Sequence, residues 1–346
     1  MIDFSAVKLN KIIVHKVGNK LREEGIKFSE NSLKIESEIL EKILLKYFLF
    51  PFAKINSLSK FYHEDNLKFN EVYSYVSDIF EDISVIEETS KKIATQLYEN
   101  STHPKINKGE FYIIHLSDCV LNDEVVDAVG IFKTENKDTY LRVKENKKDF
   151  DIDYESGINI NKLDKGCIIF NTESNEGFIV NVIDNVNKSG EAQYWKDNFL
   201  KIKPREDNYY YTQNYINACN SFVDKFANDI DVKEKAIVKG NALKYFSEKE
   251  EFNVKEFEEE VLPSIELRNN FTDYIHELAN ENDINLEDKF EISKIALKKE
   301  KRRLKSVIKL DKNYDIYIRA NHKEIEKGYD ENKGKSYYKF YFENEK

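Results

Sequence analysis

The alternation of apolar and polar positions divides the chain into stretches of different period. Between Gly109 and Asp184 the apolar residues come in short β-branched and aromatic runs: Phe111–Ile114, Val125–Phe132, Tyr140–Val143, Ile158–Ile160, Cys167–Phe170 and Phe178–Ile183. Turn-forming residues bound them, among them Leu121-Asn122-Asp123, Glu135-Asn136-Lys137-Asp138 and the segment from Asn171 to Gly177. The connections are too short for crossover helices, which predicts an antiparallel sheet, mostly a meander. Ahead of this block the period lengthens. Leu9 to Val17 reads as a first strand. Ile35, Ile39, Leu40, Ile43, Leu44 and Tyr47 then recur at helical spacing up to Pro51, and Val72, Tyr73, Val76, Ile79, Phe80 and Ile83 mark a second helix. Ser84 and Glu87 have capping-box spacing ahead of a third helix bearing Ile93, Ala94, Leu97 and Tyr98.

After the block, Tyr194-Trp195 and Phe199-Leu200 supply an apolar face, and the polar run Lys203-Pro204-Arg205-Glu206-Asp207 reads as a boundary. Tyr215, Ile216, Cys219, Phe222, Val223, Phe226 and Ile230 form a helical stripe. Asp231 and Asn253, each with a glutamate three residues on, predict two more helix starts, and Leu267, Phe271, Tyr274, Ile275 and Leu278 mark another helix. The tail returns to strand pattern. Val307–Leu310 and Tyr314–Ile318 flank Asp311-Lys312-Asn313 as a hairpin, and Tyr337–Phe342 reads as a last strand. The expected fold is α+β in two domains. Residues 1–205 would hold an antiparallel sheet with packed helices, and residues 206–346 helices and a small antiparallel sheet.

At 346 residues the chain is long enough for two cores. Four prolines and abundant Phe and Tyr argue against disorder. A formal charge of −10 counts against uniform nucleic-acid binding, so such a site must be a local patch. Cys119, Cys167 and Cys219 lie far apart in apolar contexts without a CxxC, and read as buried, reduced thiols of a cytoplasmic protein. No signal peptide is expected at the N-terminus, where Lys8, Lys11 and Lys16 interrupt the apolar residues. The greasiest run, Tyr47–Phe52, is too short to span a bilayer, so no membrane partner is expected.

Signatures of catalysis are sparse. GxGxxG, P-loop and GxSxG patterns are absent, and the six histidines have no metal-ligand spacing, so neither a metal nor a cofactor is expected. His15, His103 and His115 read as satisfied structural histidines. One enzyme-like set stands out. Asp127 ahead of Glu135-Asn136-Lys137 has the Asp…Glu-x-Lys form of a metal-dependent nuclease, with two carboxylates for Mg²⁺ and a lysine to orient water. The same Glu-x-Lys spacing recurs at Glu145, Glu287 and Glu331, as a chain rich in both residues would produce by chance.

The second signal is basic. Residues 297–309 read LKKEKRRLKSVIK, in which Lys298, Lys299, Lys301, Arg302, Arg303, Lys305 and Lys309 face the single anion Glu300. Such a cluster can neutralise phosphates. It can equally be a solvated face between a helix and a strand, and composition leaves both readings open. The sequence leaves open whether further lysines, such as Lys133, Lys144 and Lys147, join it in one track wide enough for a duplex.

Several segments together resemble the bacterial nucleoid-associated protein NdpA family, the 37-kDa nucleoid-associated proteins. They are LLKYFLFPF at 44–52, AVGIFKTEN at 128–136, DKGCIIFN at 164–171, AQYWKDNFL at 192–200, KSVIKLDKNYDIYI at 305–318 and EKGYD at 326–330. Their order and spacing, over nearly the whole chain, carry the likeness. The resemblance implies a cytoplasmic, nucleoid-located DNA-binding homodimer without enzymatic activity, with links to topoisomerases. Lys133, Glu135, Asn136, Lys165 and Gly166 match recurrent positions of the family without an assigned role; Gly166 reads as a turn glycine. Tyr194 and Trp195 read as core anchors, not as base-stacking platforms. The expectation is largely sequence-independent DNA binding through phosphates at Lys298, Lys299, Lys301, Arg302, Arg303 and Lys305. The alternatives are the nuclease and an interaction protein acting through topoisomerases.

Overall fold

The computed structural model describes residues 2–147, 149–186, 193–225, 232–282, 284–304, 306–310, 314–318 and 325–341. The chain divides into two compact units, Met1–Arg205 and Glu206–Lys346.

In the first unit the elements run β1 (Ile2–Asp3), β2 (Lys8–Val17), β3 (Ile26–Lys27), α1 (Glu38–Leu49), β4 (Ser59–Phe61), α2 (Glu71–Glu81), α3 (Ile86–Asn100), β5 (Gly109–Leu121), β6 (Glu124–Thr134), β7 (Asp138–Glu145), β8 (Phe150–Gly157), β9 (Lys165–Phe170), β10 (Ile179–Asp184) and β11 (Ile202–Pro204). One antiparallel sheet orders them β11-β4-β10-β9-β6-β5-β2-β3, with β1 also on β5. The meander β5-β6-β9-β10 is its centre. The β5–β6 turn uses Asn122 and Asp123, both at positive φ (50° and 69°), a conformation that asparagine and aspartate tolerate and that matches strand twist. Among the described residues β7 and β8 pair only with each other, and they form a hairpin inserted between β6 and β9.

Both faces of the sheet are covered, which is why its central strands are apolar runs without alternation. Ile113, Val129, Ile131, Cys167 and Ile169 face α2, α3 and the turn that carries Trp195 and Phe199. Tyr112, Ile114, Ala128, Phe132, Ile168 and Phe170 face the other way, against Tyr47, Phe48 and Leu49 of α1 and the following Phe52. Trp195 is fully buried and Tyr194 nearly so. Asn70 caps α2 by accepting from the Tyr73 amide at 3.0 Å. Its amide group also donates to the Leu200 carbonyl at 2.9 Å. The capping box expected at Ser84 does not form. Asp82 takes both the amide and the hydroxyl of Ser84, and Glu87 turns away to Lys11 and Ser32. The strand expected at Ile158–Ile160 lies earlier, at Phe150–Gly157.

The second unit comprises α4 (Asn208–Lys225), α5 (Val232–Glu248), β12 (Glu251–Asn253), α6 (Val254–Val261), α7 (Ile265–Asn282), β13 (Lys289–Glu291), α8 (Lys294–Glu300), β14 (Ser306–Leu310), β15 (Tyr314–Ile318), β16 (Ile325–Asp330) and β17 (Lys335–Phe340). Its core is aromatic, built from Tyr215, Phe222, Phe246, Phe252, Phe257, Phe271 and Phe290 around Cys219. Phe252 and Phe290 pair across β12 and β13 with stacked rings 4.7 Å apart. Asn253 caps α6 through the Lys255 and Glu256 amides. β14 and β15 form the expected hairpin, and β16 pairs with β17. Residues 311–313, Phe226, Ile230, Asp231 and Phe342, which the sequence placed in a turn, helices and a strand, lie outside the described residues. The chain is therefore α+β with antiparallel sheets. No described helix is long and apolar enough to cross a membrane.

Candidate nucleic-acid interface

The basic stretch forms α8 and the turn after it. Ser293 caps the helix by accepting from the Ala296 amide at 3.3 Å, and Ala296, Leu297 and Leu304 are buried. These apolar anchors leave Lys298, Lys299, Lys301, Arg302 and Arg303 exposed. Glu300, the one anion of the stretch, is buried. It accepts from Gln213 at 2.7 Å and pairs with the Arg303 guanidinium at 2.7 Å. Lys299 donates to the Tyr209 hydroxyl at 3.1 Å. Lys298, Lys301 and Arg302 have no ion-pair partner among the described residues. Lys305 lies outside the described residues. The stretch therefore splits into tethered cations (Lys299, Arg303) and free ones. The tethered pair must give up an existing contact to meet a phosphate.

Lys133 does not extend such a track, because it is fully buried. It belongs to a charge network at one end of the first unit's sheet. The register explains the network: Lys133 lies opposite Lys165, and Lys165 opposite Asp184, so three adjacent strands set the residues in a row. Glu135, just past β6, places Oε1 3.2 Å from the Lys133 ammonium and 3.6 Å from that of Lys165. Asp184 lies 3.3 Å from the Lys165 ammonium, and the Tyr194 hydroxyl donates to Glu135 at 3.1 Å. The two ammonium groups are ion-paired but make no hydrogen bond to a described acceptor. Burial pulls the Lys133 pKa down, while the neighbouring Glu135 charge pulls it up. Burial, reinforced by Glu135, holds the Tyr194 hydroxyl far above its ordinary value, so it stays a donor. Two lysines against two carboxylates make the network self-neutralising, as buried charges require.

Next to it, Asp164 accepts the Glu135 amide at 2.7 Å, the Asn136 amide at 2.8 Å and the Asn136 side chain at 3.1 Å. Gly166 is a strand residue, not a turn residue. A Cβ there would come within 2.5 Å of the Phe132 ring. Lys133, Glu135, Asn136, Lys165 and Gly166 thus gather where the β7–β8 hairpin leaves the sheet.

The Asp…Glu-x-Lys set is not assembled. Asp127 and Glu135 are separated by eight residues of extended strand, about 26 Å at roughly 3.3 Å per residue. Lys137 pairs with Glu110 at 2.7 Å. Among the described residues no three His, Cys, Asp or Glu side chains come together to hold a metal. The three cysteines are buried and free. His15 is satisfied on both ring nitrogens, by the Ser29 amide and the Ser90 hydroxyl.

A family model described as nucleoid-associated protein YejK matches residues 13–336. No curated protein matches the chain.

Proposed function

Since the chain belongs to this family of nucleoid-associated proteins, we propose that it binds DNA through the phosphate backbone, with little regard to sequence, at the exposed face of α8 and the turn after it. The observation that carries this reading is the group of cations Lys298, Lys301 and Arg302, without an ion-pair partner among the described residues, on α8 and the turn after it, in a chain whose net charge is −10. Lys299, Arg303 and Lys305 flank them. Cations left free in an acidic protein suit phosphates, and a lysine-rich stretch with no recognisable helix-turn-helix in the sequence suits sequence-independent binding. The protein would act in the cytoplasm, on the nucleoid, as a homodimer that doubles the contacts.

The test is a salt titration by fluorescence anisotropy on unrelated duplexes. About three phosphate contacts per chain give a slope of log K against log salt near −3 per chain. Lys301→Glu/Arg302→Glu/Arg303→Glu should flatten that slope and weaken binding equally for all sequences, with circular dichroism unchanged. An unaltered slope returns the stretch to a solvated surface.

The charge of −10 itself favours a second reading, an adaptor that reaches DNA through a topoisomerase. Recovery of a topoisomerase by pull-down after nuclease treatment, together with no gel shift by the isolated protein, would establish it in place of the first.

A further inference from the structure

The β7–β8 hairpin is amphipathic. Leu141 lies opposite Tyr154, Val143 opposite Ile152 and Glu145 opposite Phe150, so one face carries five large apolar side chains in two adjacent rows. The other face sets Tyr140 and Arg142 against Glu155 and Asp153. Its polar groups satisfy one another, with the Tyr140 hydroxyl 2.8 Å and the Arg142 guanidinium 2.5 Å from Glu155. Yet the apolar face is open: Leu141, Val143, Phe150, Ile152 and Tyr154 are each 60 to 73% exposed. A two-stranded ribbon is marginal in water, and one with its greasy side wet is more so.

The arm is nonetheless held firmly at its root. Asp164 grips the Glu135 and Asn136 amides, Asn159 donates to Asp138 at 2.6 Å, and the buried network of Lys133, Glu135, Lys165 and Asp184 lies beneath. A firmly rooted ribbon with a saturated polar face and an open apolar face is presented for docking.

We propose that this face packs on the same face of a second copy of the chain, so that the β7–β8 arms of two protomers make the dimer contact. This rests on the homodimer in the reading above and supplies its surface. Five side chains of this size offer on the order of 500 Å² per copy. Two copies then bury about 1,000 Å² in total, which is where specific interfaces begin. A two-fold axis parallel to the ribbon lays apolar face on apolar face at the usual sheet spacing, and one copy's face is the other's complement. The contact leaves the bonds of Tyr140 and Arg142 to Glu155, on the opposite face, undisturbed.

Light scattering at micromolar concentration should give twice the chain mass of 40.9 kDa for the intact protein. Leu141→Lys/Ile152→Glu should give the single mass with unchanged circular dichroism. Should that variant not fold, Ile152→Cys supplies an independent test. A short bismaleimide should convert it to a covalent dimer, while the parent protein, whose cysteines are buried, gives none. A monomeric parent, a dimeric double variant or no cross-link in Ile152→Cys overturns the proposal. The double variant keeps the cations of α8, so its salt slope per chain should be intact. Loss of the slope in the glutamate triple variant with the dimer mass retained separates a failure of the DNA reading from a failure of the arm.

Discussion

Glu135 is one carboxylate facing two buried ammonium groups. Removing it takes the carboxylate partner from buried Lys133, while Lys165 keeps Asp184, so Glu135→Ala should cost about 3–5 kcal/mol, the range for orphaning a buried charge. Urea unfolding followed by the fluorescence of Trp195, which is buried in the same unit, measures this directly. His15 is a second residue whose protonation state the fold dictates. Burial first, then the charge of Lys91, pushes its pKa down to about 4, while Glu30 opposes them. The unfolded chain binds its proton near the ordinary histidine value of about 6.5, the folded one only near 4. Stability is thus full above pH 6.5 and falls as pH drops toward about 4, by on the order of 1–2 kcal/mol after discounting for solvent screening. His15→Gln should be less stable at neutral pH, since it loses the bonds to Ser29 and Ser90, but its unfolding midpoint should vary less across that window.

At the scale of elements, the arm depends on its clamp. Asp164→Ala strips an acceptor from two amides at the root, at a cost of about 1–3 kcal/mol per unsatisfied group. It should make the 135–164 segment the first site of nicking in limited proteolysis, with the sheet still intact. Equal resistance to the parent protein would show that the clamp does not hold the arm. The elements differ in how legible they were in the sequence. Strands β5, β6, β9 and β10 could be read because both of their faces are buried, so apolar density alone marks them. The second strand of the arm was misplaced at Ile158–Ile160. Phe150, Ile152 and Tyr154 do alternate, but the acids between them, Asp151, Asp153 and Glu155, have low strand propensity and masked the period. The short strands β4, β11, β12 and β13 have too few residues for a period at all. The basic stretch was visible as composition. Its division into free and tethered cations was not, because Gln213 and Tyr209 arrive from α4 about ninety positions earlier. The buried network was beyond any window of sequence. Lys133, Lys165 and Asp184 become neighbours only through strand register.

For the molecule as a whole, two units with separate cores should unfold as two events. The only tryptophan lies in the first unit. Its fluorescence should therefore follow one transition of a denaturant series, while far-ultraviolet circular dichroism, which sees the helices of both, follows two. Coincident curves would mean one cooperative block. Charge acts at this scale too, and there it bears on rates. Free cations on α8 attract a phosphate only within about a Debye length, roughly 8–10 Å at ordinary salt. Farther out, a duplex meets a particle of net charge −10 and is repelled. Added salt weakens the repulsion during approach and the attraction after contact alike. In stopped-flow mixing the association rate constant should hence rise from low to moderate ionic strength while the equilibrium affinity falls, with the whole loss appearing as faster dissociation. An association rate that drops with salt would mean that the cations of α8 govern the encounter from afar. On the proposed DNA reading, a rate that rises with salt would mean that the same acidity makes the protein's arrival slow and its departure easily tuned.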